Sequence, residues 1–135
     1  RVLGFDTAYD DAIADGELVR RSLVEERVIL TRDRALREEW RVSSCVLIDA
    51  DEPDAQLAEL LDRFDLEEGI RLFTRCTVCN TPLEPVPAAE VRDRVPDRVL
   101  ERHDTFARCS ECDRVYWEGS HTERMRERLR AVLDA

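Results

Sequence analysis

The sequence contains no lysine. All 21 of its basic residues are arginine, and they face 31 acids, for a net charge of −10 over 135 residues. No stretch approaches the roughly 20 consecutive apolar residues of a membrane span, and no secretory signal is recognisable, so the protein is expected to be soluble and cytoplasmic. Four glycines scattered singly make no phosphate cradle, and neither a P-loop nor a Ser/His/Asp order is present. A basic field, the usual attraction for phosphate backbones, is missing too. Residues 1–67 carry 18 acids against 9 arginines, and residues 68–135 carry 13 against 12. The negative first half repels nucleic acid at long range. Acidity without lysine equally describes a salt-adapted or GC-rich source, and high salt would screen that repulsion within a few Å.

What is present is cysteine in a pattern. Cys76/Cys79 and Cys109/Cys112 form two Cys-x-x-Cys knuckles separated by 29 residues without another cysteine. Two residues between thiols let both sulfurs face one metal, and two knuckles complete a tetrahedral four-thiolate site. The pattern predicts a structural zinc ribbon with Cys76, Cys79, Cys109 and Cys112 as ligands. A closed thiolate shell leaves no position for substrate, so any chemistry must lie elsewhere. Disulfides are the rival reading, but adjacent knuckles without a secretory signal favour a reducing compartment and a metal. Cys45, in the apolar run Cys45-Val46-Leu47-Ile48, is expected to be a buried core thiol. The two histidines, His103 and His121, are poor ligand candidates because the cysteines already fill the shell.

Every paired cysteine lies after position 75, which divides the chain into a compact domain over residues 1–70 and a metal-stapled one over residues 71–135. The chain opens on Arg1, and Val2-Leu3-Gly4-Phe5 reads as the end of an element that begins upstream. Asp6–Tyr9 is a short strand candidate, and Asp15 is placed to N-cap a helix running to about Glu26. Val28-Ile29-Leu30 reads as a strand buried on both faces of a parallel sheet. A short helix from about Arg34 to Glu39 and the strand Cys45–Ile48 follow. The next helix has Pro53 in its first turn and Leu57, Leu60, Leu61 and Phe64 on one face. Alternating strands and helices predict a three-layer α/β domain with a parallel sheet, whose sites form at the carboxyl ends of its strands. Asp33 stands at such an end.

In the second half, a strand from Arg71 to Arg75 is expected to lead into the first knuckle, and the proline-punctuated insert reads as mostly loop. Val115-Tyr116-Trp117 reads as a return strand, with the aromatics packing the ribbon core in preference to stacking on bases. Ser120-His121-Thr122-Glu123 reads as a capping box opening a last helix, with Met125, Leu129, Val132 and Leu133 on its apolar side.

Acids cluster at the loop and helix start containing Asp10, Asp11, Asp15 and Glu17, and at Asp33. Gathered carboxylates repel unless a divalent cation neutralises them, and magnesium or manganese so held can activate water against a phosphodiester. With 31 acids in the chain, chance clustering is the plainer explanation. Five segments speak for the catalytic reading: Leu3-Gly4-Phe5-Asp6-Thr7, Asp15-Gly16-Glu17-Leu18, Ile29-Leu30-Thr31-Arg32-Asp33, Phe73-Thr74-Arg75-Cys76-Thr77-Val78-Cys79-Asn80 and Val115-Tyr116-Trp117-Glu118-Gly119-Ser120-His121. Together they resemble the Mut-seven C-terminal RNase family over nearly the whole chain.

That resemblance implies a PIN-like nuclease domain followed by a small zinc ribbon and a C-terminal helix. It implies RNA as partner and magnesium or manganese as catalytic cofactor. Carried over by position, Asp15 and Asp33 become catalytic, with Glu17 a weaker companion. The aspartate that PIN-like domains place at the end of their first strand has no counterpart here, and that strand is expected upstream of Arg1. Arg32 and Arg34 flank the acids and are candidates to hold the scissile phosphate, although arginines beside carboxylates are commonly plain ion pairs. The alternative is a non-catalytic module with a degenerate PIN-like body that docks on RNA, a ribosome or a protein partner. A toxin-like PIN protein with a cognate inhibitor is a third reading.

Overall fold

The computed structural model describes all residues from Arg1 to Ala135. The chain forms two compact units, one made of Tyr9–Asp65 and the other of Arg1–Ala8 together with Leu66–Ala135.

In the Tyr9–Asp65 unit, α1 (Asp15–Val24), β1 (Ile29–Thr31), α2 (Arg34–Trp40), β2 (Cys45–Leu47) and α3 (Pro53–Phe64) follow in order. β1 and β2 run parallel, with Ile29 opposite Cys45 and Thr31 opposite Leu47. The connection through α2 is the crossover that parallel strands require. Val19, Ile29, Leu36 and Cys45 form the core, flanked by Leu18 and Val42. Cys45 is buried, as an apolar strand position demands. The burial of β1 differs from the expected one. Ile29 is 4% exposed, whereas Val28 and Leu30 on the alternate positions are 47% and 43% exposed. The period-2 geometry sends Ile29 toward Val19 and Leu36 and leaves its neighbours uncovered.

Asp15 is not the helix cap either. Ala14 occupies the cap without a side-chain bond, and Asp15 is the first helical residue, placing its carboxylate and that of Glu17 at the positive end of the dipole. Asp33 does cap α2, accepting the Ala35 amide at 2.9 Å. In α3, Pro53 occupies the first turn, where a missing amide costs nothing.

The other unit holds an antiparallel sheet in the order β3 (Glu84–Val86), β4 (Phe106–Arg108), β5 (Val115–Tyr116). The segment between the knuckles does more than loop. It carries β3, a 3-10 turn at Ala88–Glu90 and the short α4 (Asp97–Leu100), and its Val91 and Val95 are 1% and 5% exposed beside Phe106. Prolines punctuate these pieces without preventing a core. Trp117 packs against that core. α5 (Ser120–Leu133) buries Leu129, but Gly119 is its cap. The expected capping box does not form: Thr122 Oγ1 donates to the Gly119 carbonyl at 2.6 Å instead.

Two expected strands are absent. Asp6–Tyr9 and Arg71–Arg75 form no ladder, and only a single bridge joins Arg75 to Pro82. Their polar backbone is satisfied by longer reach. The amides of Arg71 and Phe73 donate to Leu3 and Val2 carbonyls at 2.8 and 2.9 Å, and the Thr7 amide to Asn80 Oδ1 at 2.9 Å. The opening residues, read from sequence as part of the first domain, thus bond to the knuckle unit. Gly4 makes this possible: its φ is +92°, and a Cβ there would sit 2.3 Å from the Arg71 carbonyl oxygen. No helix of either unit is long and apolar enough to cross a membrane.

Candidate metal centre and carboxylate edge

The two knuckles are built alike. Cys76 N–H donates to the Thr81 carbonyl and Asn80 N–H to Cys76, each at 2.9 Å; Cys109 N–H to Arg114 and Asp113 N–H to Cys109 repeat both bonds at the same length. After each knuckle the chain must reverse, and Asn80 (φ 67°) and Asp113 (φ 63°) take the left-handed conformation that Asn and Asp tolerate best. The sulfurs of Cys76, Cys79, Cys109 and Cys112 lie within 4.8 Å of one another. Cys76 and Cys109 are fully buried.

Cys76 Sγ and Cys112 Sγ are 3.7 Å apart, far beyond a disulfide bond, and all five cysteines are free. A tetrahedron with metal–sulfur bonds of about 2.3 Å places its sulfurs about 3.8 Å apart. The spacing therefore fits a four-thiolate metal site, and the cluster can hold one metal ion.

Burial pushes the Cys76 thiol up, but hydrogen bonds from Tyr116 and from the Cys79 and Val78 amides outweigh it and bring it down to about 6. Tyr116 Oη stands 3.1 Å from that sulfur and the Cys79 amide 3.3 Å. Hydrogen bonding to Cys112, then burial and Cys109, pushes Cys79 up to about 12. Thiolates packed this closely repel one another, and a dication reverses that cost. Neither histidine belongs to the cluster.

The carboxylates are arranged differently. Asp15, Glu17 and Asp33 are all exposed, and the four cysteines are the only metal-ligating side chains to gather in a group of three or more. Glu17 is engaged through both oxygens by Arg20, at 2.6 and 2.7 Å, which holds its carboxyl below the ordinary value. Asp33 spends one oxygen on the α2 cap. Asp15 makes neither a hydrogen bond nor an ion pair and projects from the first turn of α1. Arg32 pairs with Asp51, and Arg34 lies 4.0 Å from Asp49.

Asp49 and Asp51 were not singled out by sequence reasoning, yet they follow β2 as Asp33 follows β1. The two loops at the carboxyl edge of the parallel sheet are therefore joined by ion pairs. One face of α3 fixes the second loop. Glu59 accepts the amides of Asp49 and Ala50 at 3.1 Å each, Gln56 donates to the Ala50 and Asp51 carbonyls, and Arg63 donates to Leu47. The signal lay in the sequence as Gln56, Glu59 and Arg63 at helical spacing, but only the fold shows what they face.

The model of the family described as Mut7-C RNAse domain matches residues 1–129 of this chain. Neither the curated proteins nor the solved structures give a match.

Proposed function

The chain belongs to the Mut7-C RNase domain family, and from that premise we propose that it is a metal-dependent ribonuclease carrying a structural zinc ribbon. The family match over residues 1–129 carries the reading. In it, Tyr9–Asp65 is the PIN-like body with helices on a parallel sheet, and the ribbon with its C-terminal helix is the appendage. Asp33, at the carboxyl end of β1, and Asp15, at the start of α1, are the catalytic carboxylates. Magnesium is commonly held by one or two carboxylates together with water and substrate phosphates, so the free oxygens of Asp15 and Asp33 suit it or manganese. Such a cation supplies activated water and neutralises the leaving oxygen. Glu17 joins only by leaving Arg20. Arg32 and Arg34 grip the scissile phosphate after exchanging Asp51 and Asp49 for it, since a guanidinium binds either oxyanion through the same planar fork. For the ribbon, four buried or half-buried thiolates select zinc among common divalent ions.

The reading of a non-catalytic module that binds RNA, a ribosome or a protein partner draws support from one observation: Asp15, Glu17 and Asp33 do not gather as a group of metal ligands. Metal dependence separates the two. Zinc-loaded protein given single-stranded RNA is expected to cleave it when manganese or magnesium is added and to leave it intact without them. RNA that survives both additions favours the binding module.

A further inference from the structure

Arginine is used differently around the first knuckle than in the rest of the chain, where Arg94, Arg108 and Arg126 of the knuckle unit also pair with carboxylates. In Tyr9–Asp65, Arg20, Arg21, Arg27, Arg32, Arg34 and Arg63 each pair with a carboxylate. Around the first knuckle, arginine meets carbonyls instead. Arg1 donates to the Thr7, Thr77 and Val78 carbonyls, Arg75 to Gly4 and Asn80, and Arg71 to Glu68 and Ile70. A carbonyl orients a guanidinium without cancelling its charge. Residues 1–8 and 71–83 together hold these three arginines and a single acid, Asp6, in a chain whose net charge is −10.

Phe73 lies within the same loop at φ 59°, a region that bulky side chains seldom enter. Its amide is tied to the Val2 carbonyl at 2.9 Å, and the Arg126 guanidinium, itself paired with Glu118 at 2.8 Å, lies 5.3 Å from the centre of its half-buried ring. Backbone held in such a conformation concentrates at ligand sites.

We propose that this first-knuckle face is a docking surface for single-stranded RNA, with phosphates on Arg71, Arg75 and Arg1 and a base against the Phe73 ring. Fixed guanidiniums beside an aromatic platform are the combination that single strands recruit, through charge along the backbone and stacking of the bases. A duplex fits poorly, because its bases are already stacked. The chain's overall acidity does not forbid the contact: at physiological salt, exposed charges beyond roughly 8 Å are screened. The choice of RNA rests on the ribonuclease reading.

The test is a fluorescence-anisotropy titration of a short labelled oligouridylate with the zinc-loaded full chain carrying Asp33→Asn, repeated across salt concentrations. Adding Arg71→Gln, whose amide can still donate to the carbonyls, is expected to weaken binding several-fold and to flatten the slope of log K against log salt by about 0.7. Phe73→Gly relieves the backbone while removing the ring and is expected to weaken binding by about 5-fold or more. Wild-type affinity and slope in both variants, with zinc retained, would overturn the surface, as would an oligonucleotide that does not bind at all. RNA bound through these residues but never cut by the chain with Asp33 intact sinks the ribonuclease reading alone. Cleavage and binding indifferent to both variants sink the surface alone.

Discussion

Outside the cysteine cluster, Gly4 and Cys45 each sit in a constrained environment, one by its backbone and the other by its burial. A side chain at Gly4 would meet the Arg71 carbonyl at 2.3 Å and Thr74 Oγ1 at 2.9 Å, from a backbone at φ +92°. Gly4→Ala is expected to destabilise the knuckle unit by about 1–3 kcal/mol, read as a lower urea midpoint. Burial raises the Cys45 thiol above its ordinary value, with Arg37 opposing weakly. A raised thiol stays protonated in the fold, so its contribution is fully present below the unfolded value of 9.0 and declines as pH climbs past it. The stability of wild type is therefore expected to fall more steeply than that of Cys45→Ala between about pH 8 and 10, even though the variant starts lower for want of core volume. Parallel slopes would remove the thiol from the account.

At the scale of elements, the polar stripe of α3 is what gives the carboxyl edge of the parallel sheet its shape. Glu59, 20% exposed, takes the amides of Asp49 and Ala50. Glu59→Ala should leave them unpaired, at about 1–3 kcal/mol, and speed hydrogen exchange at these two amides while those of β1 remain protected. The helices α1, α2, α3 and α5 and both parallel strands were legible in the sequence, because apolar periodicity is a local signal, whereas the caps expected at Asp15 and Ser120 did not form and α4, β3 and β4 were missed in the proline-punctuated insert. The gathering of Cys76, Cys79, Cys109 and Cys112 was legible for a similar reason, since each knuckle is a short-range device. The strands expected at Asp6–Tyr9 and Arg71–Arg75 are absent because their amides make isolated bonds, to the Val2 and Leu3 carbonyls and the Asn80 side chain, in place of a ladder, and no window of sequence reveals those partners. The acids and arginines of the edge stayed ambiguous for a different reason. Whether Arg32 meets a phosphate or Asp51 depends on a loop that α3 holds in place, so a list of charged residues could not decide it.

Across the whole molecule, the acids and the clustered cysteines are divided between the two units. The Tyr9–Asp65 unit carries 16 acids and 8 arginines, and the remaining residues 15 and 13. The more acidic unit has its apolar core at Val19, Ile29, Leu36 and Cys45, while the other adds to its core of Val86, Val91, Val95 and Phe106 the four clustered cysteines. Zinc in such folds contributes on the order of 10 kcal/mol of apparent binding free energy. About one zinc per chain is expected by elemental analysis, and its chelation should unfold Arg1–Ala8 and Leu66–Ala135 while Tyr9–Asp65 keeps its exchange protection. Natively purified protein without zinc would contradict this.

That the carboxylate at the end of β1 serves RNA hydrolysis is a proposal, and comparing the rates at which zinc-loaded wild type and Asp33→Asn cleave labelled single-stranded RNA in saturating manganese tests it. The neutral amide keeps a cap oxygen for the Ala35 amide, so the fold should persist. A loss of about 100-fold or more in rate is expected, with RNA affinity changed far less. Cleavage by Asp33→Asn at the wild-type rate would contradict it.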